Sequence, residues 1–329
     1  MCFGEGLADD VTAAITELQR DFLKSSVGFQ VFGAAVAKLL LWRLYKKMLA
    51  IRRQQEELFI PLIRARMAQR DAAGDEDFAV YCYVDSLLAL RIPKDGGRNR
   101  TLTEGEMVSL CTEFLSGPVD STVTAIQWTM ANVVARPEIQ AKLRAEIHDV
   151  AGAGAAATIQ DEHLPRMPFW MLECFIVNKY IVIIIKESPY FSPQASQNLM
   201  TSPEGGVMLE GFTVPKHASV NFSLGDMAMD EEVWPDLKRF RPERFLPGGE
   251  GEDVDLTGSK EIKMMPFGAG RRACPGIDMS LLHLEYFVAT MVKEFECMEV
   301  PGEPVDFADK LELTMVMRRP LRAKVVPCC

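Results

Sequence analysis

Histidine is scarce in this chain, which contains four among 329 residues. The eight cysteines show no regular spacing and include no Cys-x-x-Cys pair. A structural zinc site needs about four cysteine or histidine ligands, usually in closely spaced pairs. The sequence therefore argues against a zinc centre. The cysteines occupy positions 2, 82, 111, 174, 274, 297, 328 and 329.

Long hydrophobic runs are also missing. Residues 31–42 are apolar but are interrupted by Lys38, and residues 175–185 contain Asn178 and Lys179. Because a membrane-spanning helix needs about 20 consecutive apolar residues, no such helix is predicted. No signal peptide is recognisable either. We therefore expect the cysteines to be reduced thiols on the cytosolic side rather than parts of a disulfide framework.

The chain has no excess of positive charge. Its formal net charge is −10, with 36 basic and 46 acidic residues, and the acidic residues are spread along its length. Proteins that bind nucleic acid present concentrated basic surfaces, so no nucleic-acid partner is predicted. The length and a hydrophobic fraction of 48% suffice for a large core in one or two domains.

Residues 266–276 are the most informative stretch, with the sequence Pro-Phe-Gly-Ala-Gly-Arg-Arg-Ala-Cys-Pro-Gly. Its glycines permit backbone conformations that are costly for other residues, which predicts a tight loop that presents Cys274. An amphipathic helix is predicted directly afterwards. The positive end of a helix dipole and two neighbouring arginines stabilise a thiolate, so Cys274 is a candidate metal ligand.

Five residues of this loop, Phe267, Gly270, Arg272, Cys274 and Gly276, match the pattern Phe-x-x-Gly-x-Arg-x-Cys-x-Gly in full. The pattern resembles the haem-binding loop of the cytochrome P-450 family. The resemblance implies that Cys274 is the axial thiolate on the iron of haem b, a ligand that favours O–O cleavage. It also leaves Arg272 as a candidate contact for a haem propionate. The alternative is a surface loop with a buried free cysteine.

A second stretch of interest lies inside a long predicted helix. Thr103-x-x-Glu106 is a capping box, and the helical pattern continues from it for about 32 residues, roughly 48 Å. Near the middle, Pro118 removes a backbone donor beside the acid Asp120 and the hydroxyl of Ser121. A broken helix with an acid and a hydroxyl at this point can hold water.

This stretch resembles the oxygen-activation groove of the family's central helix, Ala/Gly-Gly-x-Asp/Glu-Thr-Thr. Asp120 keeps the acid, Ser121 keeps the hydroxyl of the following threonine, and Pro118 replaces the glycine. The resemblance implies that Asp120 relays protons and that Ser121 hydrogen-bonds the iron-bound dioxygen or its water. The alternative is an ordinary kinked core helix.

One region departs from the family pattern. Where the family has a helix with Glu-x-x-Arg, residues 174–205 form an atypical segment, and we hypothesise a retained intron or a shifted frame. A mature transcript that encodes the run uninterrupted would contradict this.

The Pro-Glu-Arg-Phe motif of the family is present at residues 242–245. Arg244 nevertheless lacks its two family partners, the Glu and Arg of the Glu-x-x-Arg helix, so a solvated surface arginine is an equal alternative. Residues 248–255 are predicted to be an exposed loop.

The resemblance implies a mainly α fold with small β-sheets, equivalent to the C-terminal two-thirds of a cytochrome P-450. The haem would lie between the long central helix and the cysteine loop. Residues 1–329 would form one incomplete, N-terminally truncated haem-monooxygenase domain. Periodicity further predicts helices at 39–70 and 277–296 and a C-terminal hairpin that pairs residues 311–317 with 321–326.

Several details resemble plant members of the microsomal type, such as the sequence of residues 251–258. The resemblance implies a haem-dependent monooxygenase that inserts one oxygen atom from O2 into an apolar small molecule. A NADPH-dependent cytochrome reductase would supply the electrons at the cytosolic face of the endoplasmic reticulum membrane. With no anchor recognised, a cytoplasmic location is the alternative. An inactive truncated fragment with little or no haem binding, and a helical interaction protein, stay open as alternatives.

Overall fold

This computed structural model of the protein describes residues 2–4, 6–26, 41–73, 81–93, 99–152, 158–167, 207–209, 211–214, 230–235, 242–245, 247–252, 254–255, 263, 265–270, 273–311 and 315–328. Within these ranges the chain is mainly helical with small antiparallel sheets, which confirms the predicted fold class. The atypical segment predicted at 174–205 lies outside the described residues. Among the helices that are described, none is long and apolar enough to cross a membrane.

The chain divides into two compact units, residues 1–120 and 121–329. The prediction of one domain over residues 1–329 stays a prediction. The described ranges contain the α-helices α1 (Asp9–Ser26), α2 (Trp42–Ala73), α3 (Tyr83–Ala89), α4 (Glu104–Ala135), α5 (Pro137–Ala151) and α6 (Ile277–Glu294), with short 3-10 turns at Leu164–Arg166 and Pro242–Phe245.

The core of the first unit is built from the apolar faces of α1, α2, α3 and the first part of α4. Phe59 of α2 and both Val108 and Cys111 of α4 are fully buried. The segment before α1 packs into the same core, where the Phe3 and Phe59 rings lie 5.1 Å apart between centroids. Burial of these side chains supplies the main stabilisation of the unit.

A buried ion pair joins α2 to α3. Arg66 Nε donates to Asp85 Oδ1 at 2.8 Å, and Asp85 Oδ2 accepts the backbone N–H groups of Tyr81 and Cys82 at 3.0 Å each. Asp85 is 1% exposed. Burial alone would raise the pKa of Asp85, but Arg66 and the N–H donors outweigh it and hold that pKa below its usual range.

The capping box at the start of α4 is confirmed. The Thr103 N–H donates to the Glu106 carboxylate at 2.8 Å, and the Glu106 N–H donates to Thr103 Oγ1 at 3.3 Å. Arg100 also pairs with Glu106 and, together with these donors, lowers the pKa of Glu106 to about 2. The helix extends for 32 residues to Ala135 as predicted, and Pro118 lies inside it without ending it.

Helix α6 is anchored in the second unit through α5. Leu284 and Val292 of α6 are buried in a shared core. Arg144 of α5 donates from Nε to the carbonyl of Val292 at 3.0 Å and from Nη2 to that of Phe295 at 2.9 Å. These bonds satisfy carbonyls that the helix end leaves unpaired. The helix ends at Glu294, two residues before its predicted end, because the chain there becomes a strand.

The strands of the second unit correct the predicted C-terminal hairpin. Leu311 lies opposite Met315, so residues 309–311 and 315–317 fold back on each other, and the last strand pairs with Phe295–Glu299 instead. Trp128 Nε1 also donates to the Met315 carbonyl at 3.0 Å, which fixes this hairpin against α4. The antiparallel pairs are β1 (Ile92–Pro93) with β2 (Asn99–Arg100), β3 (Val207–Leu209) with β4 (Phe212–Val214), β5 (Phe295–Glu299) with β8 (Ala323–Pro327), and β6 (Asp309–Leu311) with β7 (Met315–Met317).

The segment around Arg244 is more buried than predicted. Arg244 is 5% exposed, which corrects the alternative of a solvated surface arginine. Gly251, in the loop predicted to be exposed, is buried, and its N–H donates to the Arg244 carbonyl at 2.7 Å. A side chain on Gly251 would collide with the ring of Phe245, which lies 5.6 Å from that of Trp234 between centroids. Aromatic packing therefore requires a glycine here.

Candidate cysteine-loop site

Backbone hydrogen bonds shape the loop that carries Cys274. The Cys274 N–H donates to the Phe267 carbonyl at 2.7 Å, and the Ala273 N–H donates to the Gly270 carbonyl at 3.1 Å. Gly268 and Gly270 have φ angles of +73° and +68°. Residues with a side chain rarely adopt these angles, so the glycines let the chain turn tightly enough to present the sulfur.

Cys274 is better presented than most other thiols. The six cysteines in the described ranges are free, and of these only Cys274 and Cys328 are not buried. Burial raises the pKa of the Cys82 and Cys297 thiols. Because the thiolate is the form that binds metals, those buried thiols are poor ligands. Exposure therefore favours Cys274 and Cys328 over the buried thiols, and of these two Cys274 is the one that lies in the glycine loop.

Gly276 links the loop to α6. It lies at the start of the helix, where its carbonyl accepts the Ser280 N–H at 2.8 Å. A Cβ on Gly276 would lie 3.9 Å from Cys274 Sγ, so the missing side chain keeps the surroundings of the sulfur open. The sulfur thus lies close to the first turn of α6, whose N–H groups carry partial positive charge.

The donor chemistry of the loop fits a haem iron bound through one thiolate. Thiolate sulfur is a soft ligand and one of the known axial ligands of haem. Gly276 leaves the space beside the sulfur free of a side chain, and the positive φ angles of Gly268 and Gly270 shape the loop around it. Over the ranges that the structure covers, no three Cys, His, Asp or Glu side chains are grouped to hold a metal ion. Arg272, the third of the five motif residues, lies outside the described residues.

Asp120 and Ser121 lie next to each other on α4. Both are half-buried, and each takes part in a polar or electrostatic contact. Asp120 is the last residue of the first unit, and Ser121 is the first residue of the second. Two residues before Asp120, Pro118 has no N–H and so leaves the Phe114 carbonyl, four residues back, without its usual helical donor. The two residues are on the long helix as expected, and their roles in proton transfer stay predictions.

Two further polar residues, Thr122 and Glu285, are buried although the sequence gives little indication of it. Thr122 is 8% exposed, and within the described part of the chain its hydroxyl has no hydrogen-bond partner. By contrast, Thr129 donates to the Ala125 carbonyl at 3.0 Å in the same helix. Glu285 of α6 is 9% exposed, and burial raises its pKa to about 7. Nothing in the local sequence indicates that this carboxyl faces inward.

The chain is similar in sequence to plant proteins along nearly its whole length. A family model for cytochrome P450 matches residues 2–327. Cytochrome P450 89A9 of Arabidopsis thaliana is 41% identical over 335 residues, which cover 99% of this chain and 62% of that protein. Cytochrome P450 78A11 of Oryza sativa subsp. japonica is 32% identical, with 81% and 45% covered. A flavonoid 3'-monooxygenase of Arabidopsis thaliana is 28% identical, with 72% and 43% covered.

The chain therefore spans about three-fifths of the length of the first of these relatives and less than half of the other two. A solved structure of a zebra fish cytochrome P450 with abiraterone has a similar fold, with a TM-score of 0.70 and 18% identity. The alignment covers 100% of this chain and 68% of that one. Since the family match takes in both the cysteine loop and the long helix, the chain belongs to the cytochrome P450 family, whose cofactor is haem.

Proposed function

We propose that the chain is a haem-dependent monooxygenase that inserts one oxygen atom from O2 into an apolar small molecule. The observation that carries the proposal is the half-buried Cys274, held by the Phe267 carbonyl at the entrance to α6. Cys274 would hold the iron through its thiolate, and the thiolate-ligated haem supplies the chemistry that activates O2. Gly270 would let the loop turn tightly, Gly276 would leave space beside the sulfur, and Arg272 is proposed to contact a propionate.

The polar pair on α4 is proposed to handle protons. The Asp120 carboxylate would take up a proton from solvent and pass it toward the reaction site, and the Ser121 hydroxyl would donate a hydrogen bond there. The half-buried position of both side chains supports this, because a relay must contact both water and the interior. Pro118, which precedes them in the same helix, leaves the Phe114 carbonyl without its usual helical donor, and water can bind a carbonyl freed in this way.

The electrons are proposed to come from a NADPH-dependent cytochrome reductase at the cytosolic face of the endoplasmic reticulum membrane. An apolar substrate is consistent with the microsomal type that the sequence resembles. One similar protein bears the name flavonoid 3'-monooxygenase, so a flavonoid is one reasonable test compound beside simple terpenes and fatty acids.

The test is incorporation of isotopic oxygen. The purified chain is loaded with haem and incubated with a plant reductase, NADPH, ¹⁸O2 and the test compounds. A monooxygenase yields a product that is heavier by one ¹⁸O atom and absent with Cys274→Ala. If haem is retained but no product forms with any compound, the chain is an inactive member of the family. If no haem is retained, the fragment or interaction-protein alternative replaces the proposal.

A further inference from the structure

Three buried cysteines of the first unit share one core, and the proposed reaction does not use them. Cys2 lies in the segment before α1, Cys82 lies at the start of α3, and Cys111 lies in the second turn of α4. Their exposed fractions are 6%, 6% and 0%, and all three are free thiols. We call this set the thiol cluster. It unites sulfurs from three separate segments of the chain in the interior of the unit.

The first turn of α3 brings these segments together. The Cys2 carbonyl accepts the Val84 N–H at 3.0 Å, which ties the segment before α1 to this turn. The Tyr83 ring stacks on Phe114 of α4 with centroids 4.2 Å apart, and Phe114 lies one turn after Cys111. Burial and the charges of Cys111 and Cys2 raise the pKa of Tyr83, so both sulfurs lie near this ring. Cys2 and Cys111 are therefore held at the same end of α3.

Within the thiol cluster, Cys2 and Cys111 form a pair, and Cys82 is engaged by other groups. The Cys2 and Cys111 thiols share a hydrogen bond, and this bond together with burial raises the pKa of Cys2. The Cys82 thiol instead donates to the Asp85 carboxylate and accepts from the Arg66 guanidinium. A disulfide joins sulfurs about 2 Å apart, so two thiols already in hydrogen-bond contact need only a short approach. The pair best placed for a bridge is therefore Cys2 with Cys111.

We propose that Cys2 and Cys111 are a redox pair that forms a reversible disulfide and so fastens the segment before α1 to α4. The oxidant is a low-molecular-weight disulfide such as oxidised glutathione. One thiolate of the pair attacks a sulfur of the reagent and releases one glutathione thiol, and the second thiolate then displaces the other from the mixed disulfide. The two cysteines lose two electrons and two protons, and the reagent leaves as two reduced thiols.

The pair is reduced and protected in this structure. Disulfides in cytosolic proteins are usually transient and redox-sensing, which fits two free thiols at rest. Because buried neutral thiols react slowly, oxidation requires the segment before α1 to open locally. Residues 2–4 and 6–8 belong to no helix or strand, so this segment can lift without unfolding α1 or α4. The disulfide then closes a long loop, which stabilises the folded state by restricting the unfolded chain.

Peptide mapping tests the assignment. The dilute purified chain is incubated with oxidised glutathione without denaturant, its remaining thiols are alkylated in urea, and it is digested with trypsin without reduction. Cleavage after Arg and Lys leaves Cys2, Cys82 and Cys111 in three separate peptides, residues 1–20, 71–91 and 101–136. We expect peptides 1–20 and 101–136 to be linked until dithiothreitol separates them. Oxidation should also raise the midpoint of urea unfolding by about 1 M or more.

Matched variants remove one buried thiol each. Cys111→Ala should lose both the linked peptides and the rise in the urea midpoint. Cys82→Ala, in the same core, and Cys297→Ala, which removes a thiol of the second unit that is 1% exposed, should keep both. Circular dichroism confirms that each variant is folded.

Three results with the wild type would overturn the proposal. The first is that no linked peptides form, as expected if the thiol cluster is only core packing. The second is that Cys2 links to Cys82 instead, and the third is that the link to Cys111 forms only in urea. All three are read from the wild type, so they hold even where a variant does not fold. The inference goes beyond the proposed function, and the assay needs neither haem nor turnover, so its failure leaves the proposed monooxygenase function untouched.

Discussion

The backbone N–H of Cys274 donates a 2.7 Å hydrogen bond to the carbonyl oxygen of Phe267. This bond closes the loop and fixes the sulfur close to the first turn of α6. Between the two residues, Gly270 has a φ of +68°, and nothing lies within 4 Å of the place where its Cβ would be. The loop is therefore constrained at this point by backbone conformation and not by lack of space.

Gly270→Ala should weaken haem retention. The left-handed backbone angle costs an alanine about 1 kcal/mol, which the loop relieves by distorting around Cys274. Gly302→Ala is the matched control, because Gly302 has a φ of +79° and equally open surroundings in the turn after β5. Both variants should lose a similar free energy of unfolding. Only Gly270→Ala should lower the haem content per chain, and equal haem contents would contradict a role for the loop.

Asp85→Asn should destabilise the first unit strongly. The variant leaves Arg66 facing a neutral group in a buried position, which costs about 3 kcal/mol. The pKa of Asp85 in the folded state lies below its usual value. The stabilising contribution of Asp85 is therefore fully present when the pH is above the usual pKa, and it is lost as the pH falls through the pKa of the folded state. Urea unfolding at neutral and acidic pH measures the difference, which should shrink in acid.

The control for this prediction is Glu104→Gln. Glu104 binds Arg64 Nε at 2.7 Å, but the Arg64 side chain is 66% exposed. Exposed ion pairs contribute little because water and salt screen them, so the free energy of unfolding should hardly change. If Glu104→Gln lowered the free energy of unfolding as much as Asp85→Asn does, burial would not determine how much these two ion pairs contribute to stability.

Glu285→Gln should remove a pH dependence of stability near neutrality. Burial raises the pKa of Glu285 from its ordinary value of 4.5 to about 7, so the folded state prefers the protonated carboxyl. The stabilising contribution of the Glu285 side chain is therefore fully present below pH 4.5 and is lost as the pH rises through 7. Relative to the variant, the wild type should lose up to about 3 kcal/mol between acidic and mildly alkaline pH. Glu296→Gln, at an exposed position on β5, should behave as the wild type, and parallel pH profiles for wild type and Glu285→Gln would refute the prediction.

The helices and the cysteine loop could be predicted because their signals are local. The pair Thr103 and Glu106 begins α4 through contacts three residues apart, and the positive φ of Gly270 follows from a glycine pattern. Strand partners depend on distant residues. Alternation over residues 311–317 indicates an extended chain but not that Leu311 pairs with Met315, and no local feature indicates that Ala323–Pro327 pairs with β5.

The same limit applies to burial of polar and glycine residues. An acidic, glycine-containing loop is usually exposed, but Gly251 lies under Phe245 because the rings of Phe245 and Trp234 pack on that side. Glu285 is similar, since only the packing of α6 in the second unit turns its carboxyl inward. In the candidate site, Phe267, Gly270, Cys274 and Gly276 were predictable from one motif. Over the described residues the Thr122 hydroxyl has no hydrogen-bond partner, and this lack is a result of tertiary packing that the local sequence does not show.

The most direct test of the account is the absorption spectrum of the reduced, CO-bound protein after loading with haem. If Cys274 is the axial ligand, the wild type gives the strongly red-shifted Soret band of a thiolate-ligated haem. Cys274→Ala should lose this band, and Cys328→Ala, which removes the other half-buried thiol of the described ranges, should keep it. A wild type that retains no haem, or a red-shifted band that survives in Cys274→Ala, would contradict the central claim.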